Sequence, residues 1–439
     1  MKHECGILLL SSKVDNKKNY FIKNLKNIEH RGREAFGICY YNEKLNCEKY
    51  PFKVSNYNYK EDCNFGKNIM GHVRYSTTKN KKLDNLNIQP IKGNHKNLGE
   101  FYLVHNGNIP NIRYDDGKSD TYYLVDFIQN NNNTNYLDIL HDMLKIIKSV
   151  YCLGLLDNKG NIYACRDSHG IRPLYLGRNK DNICIGSETT CFPENYILER
   201  EILNGEIIKL KNGNILGSKS FSRRKYFCSF EYIYFFRKES QIGTRYLKDI
   251  RYRFGVELAL KEENIIKDAL VVGSPNSGIV IGKGFAETLN LPYHQLIWKD
   301  STCGRSFILP DQKSRKELLQ KFLYYDEDKI KDNIIYLVDD SIVRGTTMKK
   351  MLKRLSDLGA KEVHVRVGSP PITNPCYFGI DIPNTKLLIA SGRNVEEIRI
   401  ELGCSTLIYI DMNIIKRIIG DYNMCDGCFS GNYPNITDW

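Results

Sequence analysis

The arrangement of apolar and polar positions divides the chain into two halves. From the N-terminus to about Ser220 the apolar residues fall in short runs: CGILLL, NIMGHVRYST, FYLVHNG, NIYACRDS, PLYLGR and ICIGSE. Gly, Asn and Asp separate them, which is the punctuation of tight turns between strands. A stretch with helical spacing, Tyr122 to Ser149, interrupts the series. Beyond about Ser240 the pattern changes. The run Ala269 to Gly273 leads through Ser274-Pro275-Asn276-Ser277-Gly278 into a helical pattern. Strand, loop and helix recur at Ile334 and, less fully, at Val363 to Gly368. Such alternation predicts a parallel α/β sheet. The change falls at Phe221 to Ser240, and no internal repeat is evident.

The sharpest local signal is Ile334 to Thr347, IIYLVDDSIVRGTT. Ile334 to Val338 read as a strand buried on both faces. Asp339 and Asp340 follow at its carboxyl end, and the loop closes on Arg344, Gly345, Thr346 and Thr347. Behind it Met348, Met351, Leu352 and Leu355 share one helical face, and Gly359 marks the stop. Ligands of open α/β sheets sit beyond the carboxyl ends of the strands. Small residues at a helix N-terminus offer a phosphate backbone N–H groups and the positive dipole end. Adjacent carboxylates suit sugar hydroxyls or a Mg²⁺ shared with a diphosphate. A single Asp there would be read as a helix cap; two acids followed by Arg-Gly-Thr-Thr point to a phosphorylated ribose.

Composition adds limits. At 439 residues, 41% of them hydrophobic, the chain can bury two substantial cores. No apolar run approaches the ~18 to 20 residues of a membrane helix. MKHECGILLL also lacks a secretory layout, so a cytoplasmic protein without a membrane partner is expected. Fourteen cysteines then suggest thiols or metal ligands, not a disulfide framework. The net charge of +13 is scattered, and Lys-rich stretches such as Lys79 to Lys82 read as solvated faces, with nucleic acid not expected. An anionic small substrate is compatible with that charge.

Cys5, just before an apolar strand, is by itself a small hydrophobe. If Met1 to Glu4 are removed, its α-amino group, with an ordinary pKa of ~7.7 to 8.0, becomes a general base for its own thiol. Four further motifs follow in order: His30-Arg31-Gly32-Arg33-Glu34, Gly71-His72-Val73-Arg74-Tyr75-Ser76-Thr77, His105-Asn106-Gly107-Asn108 and Ser119-Asp120. With Cys5 they resemble, motif by motif, the glutaminase domain of the class II amidotransferases. The Asp339-Asp340 loop resembles the phosphoribosyl-pyrophosphate loop of the type I phosphoribosyltransferases. From Cys5 to about Pro434 the whole order resembles the amidophosphoribosyltransferase family.

That resemblance implies an αββα sandwich of the N-terminal-nucleophile hydrolase type, followed by a type I phosphoribosyltransferase α/β domain with a parallel sheet. It implies a propeptide at 1–4, a glutaminase domain at 5–222, a transferase domain at 223–420 and a tail at 421–439. It makes Cys5 the nucleophile toward glutamine and gives the oxyanion hole to the Asn106 side chain and the Gly107 N–H. Arg74 would hold the glutamine carboxylate and Asp120 its amino group, with Arg31 and Thr77 lining the pocket. Arg166 to Arg178 and Gly186 to Glu188 extend the likeness in structural roles. In the second half Ser277 joins Asp339 and Asp340 as expected Mg²⁺ ligands. Lys299, Gly304-Arg305-Ser306-Phe307, Gln312 and Arg315 resemble the family's closing loop over phosphoribosyl pyrophosphate. Purine nucleotides as feedback inhibitors and a homotetramer are further expectations of the resemblance.

The cysteines supply a separate clue. Cys425 and Cys428 form a C-x-x-C pair, with Cys228 in FCSFEYIYF and Cys376 in SPPITNPCYFGID. The pair alone is compatible with zinc, with a redox dithiol or with no chemistry. All four positions match those family members that carry a 4Fe–4S cluster on Cys thiolates, which implies a structural clip. Four departures stand out: Asn276 in place of Asp, Ser301-Thr302 in place of Arg-Tyr, Thr78-Lys79-Asn80 in place of small residues, and Arg33 in place of Gln. They leave a non-catalytic sensor of purines or phosphoribosyl pyrophosphate as the alternative to an enzyme.

Overall fold

The run Ile7 to Leu10 is apolar without alternation, and a computed structural model shows why. Ile7 and Leu9 face one core with Met70, Val104 and Leu156, whereas Leu8 and Leu10 face another with Phe21, Ile22 and Leu25. The strand Gly6–Lys17 is thus covered on both sides. The structure describes residues 5–59, 62–75, 85–109, 112, 114, 116–299, 323–382 and 384–434.

Gly6–Lys17 lies inside a seven-stranded sheet ordered Ile197–Glu201, Tyr175–Asn179, Asn182–Gly186, Gly6–Lys17, Asn64–Arg74, Ala35–Asn42, Lys44–Tyr50. A six-stranded sheet packs against it, ordered Asn214–Ser220, Glu206–Lys211, Ile162–Arg166, Val150–Asp157, Gly99–Asn108, Ile91–His95. The helix Lys18–Lys26 covers the outer face of the first sheet, and Thr121–Asn130 and Tyr136–Ile146 cover that of the second. This is the expected αββα sandwich. The helical stretch Tyr122 to Ser149 is two helices and not one: the asparagines at 130–133 and Asn135 break it. Asn135 Oδ1 accepts the Leu137 N–H at 3.0 Å, capping the second helix.

In the second half Leu270–Gly273, Ile334–Asp339, Glu362–Val367 and Thr406–Tyr409 form a parallel sheet in chain order. The loop after the first strand opens the helix Gly278–Leu289, and that after the second opens Thr346–Asp357. Met348, Met351, Leu352 and Leu355 are the buried residues of the latter helix. The halves share a core in which Val150, Ile171 and Tyr175 pack with Phe227, Phe236, Phe254, Phe378 and Met424. The C-terminal strand Met424–Cys425 pairs in parallel with Phe227–Cys228, tying the tail to the segment between the halves.

Candidate functional site

Strand register assembles the first constellation. Gly6 pairs with Val73 and Ala35 with Arg74, which brings half-buried Cys5 to the end of Asn64–Arg74. On the other sheet, Gly99–Asn108 carries Asn106 and Gly107 just before its last residue. A Cβ at Gly107 would stand 2.0 Å from the Val150 carbonyl oxygen, so the strand fits there only with glycine. Asn106 is 2% exposed, and its amide nitrogen has no hydrogen-bond partner among the described residues. A buried donor without an acceptor is what stabilising an oxyanion would call for.

Neighbouring polar groups hold this strand end in place. The His72 Nε2–H donates to the His105 carbonyl at 3.2 Å, joining the ends of the two sheets. Burial pushes His72 down to about 3, so its ring is neutral. The His105 N–H donates to Gln89 Oε1 at 2.5 Å, and the Gln89 amide donates to Thr121 Oγ1 at 3.1 Å. Asp120 Oδ2 accepts the Ile109 N–H at 2.9 Å, and Oδ1 stands 3.8 Å from His105 Nδ1. Asp120 therefore sits beside the Asn106–Gly107 strand end.

Arg31, expected in the glutamine pocket, is enclosed by carboxylates. Its Nη1 donates to Glu188 at 2.5 Å and its Nη2 to Glu231 at 2.6 Å, while Nε reaches the Cys5 carbonyl at 3.4 Å. Against the upward pull of burial, His30 and Arg31 hold Glu188 well below the usual carboxylate range.

The second constellation is local. Ser274 Oγ donates to Asp339 and Ser277 Oγ to Asp340, so the loop after one strand is bonded to the end of the next. The Asp340 N–H donates to Asp339 Oδ1 at 2.9 Å, and Ser341 Oγ donates to Asp340 at 2.7 Å. Burial, then the neighbouring Asp340, raises Asp339 well above the usual carboxylate range. Gly345, at φ 70°, precedes the helix Thr346–Asp357, and its left-handed turn suits glycine. Arg344, Thr346 and Thr347 complete this lip. Lys299 ends the short strand Ile297–Lys299, close enough to Arg33 for the two charges to repel.

Tyr75, quoted only as part of the Arg74 motif, lies between the two constellations. Its hydroxyl is buried without a hydrogen-bond partner among the described residues, and the charges acting on it include Asp381, Glu34, Cys5 and Arg344. No spacing rule singles out such a residue, because its neighbours come from both halves. Thr77, Arg305, Gly304, Ser306, Phe307, Gln312, Arg315, Ser301, Thr302 and Met1 to Glu4 lie outside the described residues.

The four cysteines converge at the tail. Cys228 pairs in register with Cys425, Cys428 follows on the short helix Gly427–Ser430, and Cys376 Sγ accepts the Phe378 N–H at 3.3 Å. Burial, then Cys376, Cys228 and Cys425, raise the Cys428 thiol, so these sulfurs sit together. Among the described residues no group of three or more His, Cys, Asp or Glu stands ready to hold a metal ion. The thiols are gathered, but not at ligand spacing.

Residues 72–194 match a family model described as a glutamine amidotransferase domain. An amidophosphoribosyltransferase of Pyrococcus horikoshii is 36% identical, covering 99% of this chain and 97% of its own. The chain belongs to the amidophosphoribosyltransferase family. The Bacillus subtilis amidophosphoribosyltransferase is 32% identical over 99% of this chain and 94% of its own. Among solved structures, the B. subtilis glutamine phosphoribosylpyrophosphate amidotransferase complexed with ADP and GMP superposes with a TM-score of 0.86. It is 31% identical and covers 98% of this chain and 97% of that one. A structure described as the allosteric regulatory enzyme of purine biosynthesis gives 0.88 at 30% identity, covering 98% and 96%. As a member of the family, the chain is a glutamine amidotransferase enzyme whose reaction opens purine biosynthesis.

Proposed function

We propose that the protein converts glutamine and 5-phosphoribosyl 1-diphosphate to 5-phosphoribosylamine, glutamate and diphosphate at two coupled sites. The observation that carries the reading is one chain holding both the Cys5–Asn106–Gly107 constellation and the Asp339–Asp340 loop. Full-length likeness to amidophosphoribosyltransferases favours this enzyme over a non-catalytic sensor.

In this reading 1–4 are a propeptide, 5–222 the glutaminase domain, 223–420 the transferase domain and 421–439 a tail. The Cys5 thiolate, deprotonated by its own freed α-amine, attacks the side-chain carbonyl carbon of glutamine. The Asn106 amide and the Gly107 N–H receive the oxyanion, a contribution of ~3 to 4 kcal/mol per donor. Collapse of that adduct, with the α-ammonium returning the thiol proton to the leaving nitrogen, breaks the C–N bond and releases ammonia, leaving a γ-glutamyl thioester that water hydrolyses to glutamate. Arg74 pairs with the glutamine carboxylate and Asp120 with its ammonium group, with Arg31 and Thr77 close by.

Ammonia passes inside the protein to C1 of the sugar, where the C–O bond to diphosphate breaks as the C–N bond forms. Arg344, Gly345, Thr346 and Thr347 bind the 5-phosphate end; Ser277, Lys299 and Arg305 bind the diphosphate. The Ser277–Asp340 and Ser274–Asp339 hydrogen bonds and the crowded carboxylates fit a divalent cation. Mg²⁺ bound by Ser277, Asp339 and Asp340 would spread the charge of the leaving diphosphate.

Cys228, Cys376, Cys425 and Cys428, three of them buried and all gathered at the tail, are the residues that would hold a 4Fe–4S cluster, in a structural role. A homotetramer in the cytoplasm, inhibited by purine nucleotides, completes the reading. Among the described residues no helix is long and apolar enough to cross a membrane.

The test uses anaerobically purified protein with phosphoribosyl pyrophosphate, Mg²⁺ and either glutamine or ammonia. 5-Phosphoribosylamine from both donors, a chain beginning at Cys5 and about four irons per subunit are expected. Binding of phosphoribosyl pyrophosphate without turnover from either donor contradicts the enzyme.

A further inference from the structure

Two buried arginines of the first half meet at one atom of the segment between the halves. Arg31 Nη2 donates to Glu231 Oε1 at 2.6 Å, and Arg172 Nη1 donates to the same oxygen at 3.4 Å. Both arginines and Glu231 are inaccessible to solvent or nearly so, and the other oxygen of Glu231 is buried without a hydrogen-bond partner among the described residues. Each arginine reaches onward. Arg31 Nε donates to the carbonyl of Cys5 at 3.4 Å. Arg172 Nη2 donates to the carbonyl of Phe378 at 2.7 Å, and the Asn108 amide donates to the preceding carbonyl, Tyr377, at 2.9 Å.

That last contact bears on the oxyanion strand. Asn108 directly follows Asn106 and Gly107, and the strap at 377–379 lies against it. A Cβ on Gly379 would stand 3.3 Å from both the Gly107 carbonyl carbon and Asn108 Cβ. The main chain of the nucleophile and the main chain of the oxyanion donors are therefore held from outside the first half. One is held through Arg31 and Glu231, the other through Asn108 and Arg172 against the strap.

A carboxylate serving stability alone would do as well with an arginine on each oxygen. Here both share Oε1, so a displacement of one guanidinium is felt by the other. Buried, close-packed polar groups behave as a unit in this way.

We propose that Glu231 and Asn108 are positioning residues for glutamine hydrolysis, tying Cys5 and the Asn106–Gly107 donors to the segment between the halves and to the strap at 377–379. The proposal rests on the glutaminase reading of Cys5. Neither residue touches glutamine; they act through Arg31, Arg172 and the strand end. Misplacement of reacting groups by about 1 Å costs on the order of 100-fold, which sets the scale of the effect.

The experiment compares the full-length protein with Asn108→Ala, which removes one partly exposed amide, and Glu231→Gln, which keeps the side chain's shape. Glutamine hydrolysis, ammonia-dependent product formation and the rate at which a diazoketone analogue of glutamine alkylates Cys5 are measured on each. Both variants are expected to lose ~10- to 100-fold in kcat for glutamine and in alkylation rate. KM for glutamine should stay within ~3-fold and the ammonia-dependent rate within ~2-fold. The double variant should fall by less than the product of the single losses, because both act on one network.

Equal losses with glutamine and ammonia in both variants overturn the proposal, as does a change confined to KM. So does an unchanged kcat and alkylation rate in Asn108→Ala, whose exposed amide can be removed without threatening the fold. If the unsubstituted protein itself fails to hydrolyse glutamine, the glutaminase reading has failed instead, and the proposal falls with it.

Discussion

The glutamine-side and phosphoribosyl-side constellations hold their polar groups in opposite ways. At the first, neutral groups stand at the strand end: the Asn106 amide is buried with no partner among the described residues, and His72, bonded to the neighbouring His105 carbonyl, is kept uncharged. At the second, two carboxylates are crowded at a strand end, and Asp339 is driven toward its protonated form. The difference follows from where charge comes from. An oxyanion appears during the reaction, so its donors must stand ready beforehand. A diphosphate and its cation bring their charge with them, so that site can store an unfavourable arrangement until they arrive.

The largest effects should separate the two regions cleanly. Cys5→Ala is expected to lower glutamine-dependent product formation by at least ~10⁴-fold, as removal of a catalytic nucleophile does, and to leave the ammonia-dependent rate within ~2-fold. Asp340→Asn should lower both rates together by ~100-fold or more, since a lost charge at the diphosphate removes transition-state stabilisation common to both donors. A variant of one region that behaved like the other would break the comparison. Steady-state rates with each donor check both.

Asn106→Ala sharpens the contrast, with an expected loss of ~100- to 1,000-fold in glutaminase kcat and no loss with ammonia. Gly107→Ala adds a methyl group where 2.0 Å separates the Cβ position from the Val150 carbonyl oxygen. It is expected to destabilise the protein by ~1 to 3 kcal/mol, read from the midpoint of urea unfolding, in addition to impairing glutaminase activity.

The smallest effect concerns pH. The His72 pKa is lowered to about 3 by burial, against an ordinary value of ~6.5. Between those values the unfolded chain binds a proton that the folded chain does not. Stability should therefore fall as the pH drops below ~6.5, at roughly 1 kcal/mol per pH unit. Glu188, held low by His30 and Arg31, adds a loss of the same sign only below its ordinary value of ~4.5. His72→Gln should flatten the dependence between about pH 5 and 6.5, measured by urea unfolding at several pH values.

The two regions also differ in how far the sequence alone discloses them. The strand Ile334–Asp339, its two acids and the helix behind them are contiguous, so hydrophobic period and turn residues delimit them directly. The first constellation is scattered over a hundred residues and becomes legible only through resemblance to a family whose motifs occur in the same order. Neither route discloses the Arg31–Glu188–Glu231 network, whose members stand 157 and 200 residues apart and meet only after the sheets and the junction are in place. Arg31 is a pocket residue by the resemblance alone, and the sequence does not show that Glu188 and Glu231 pair with it. The stretch Tyr122 to Ser149 reads as one helical run in sequence for a local reason. Apolar spacing continues across the asparagines at 130–133 and Asn135, while their capping and turn preferences end one helix and start another.

The central claim is that nitrogen released at Cys5 reaches C1 of the sugar without leaving the protein. Its direct measurement uses glutamine labelled with ¹⁵N in the amide, together with phosphoribosyl pyrophosphate, Mg²⁺ and excess unlabelled ammonium at a pH where ammonium predominates. The account predicts 5-phosphoribosylamine carrying mostly ¹⁵N from the first turnovers onward. Product whose label matches the bulk ammonium pool would show that the two sites work independently, and would contradict it.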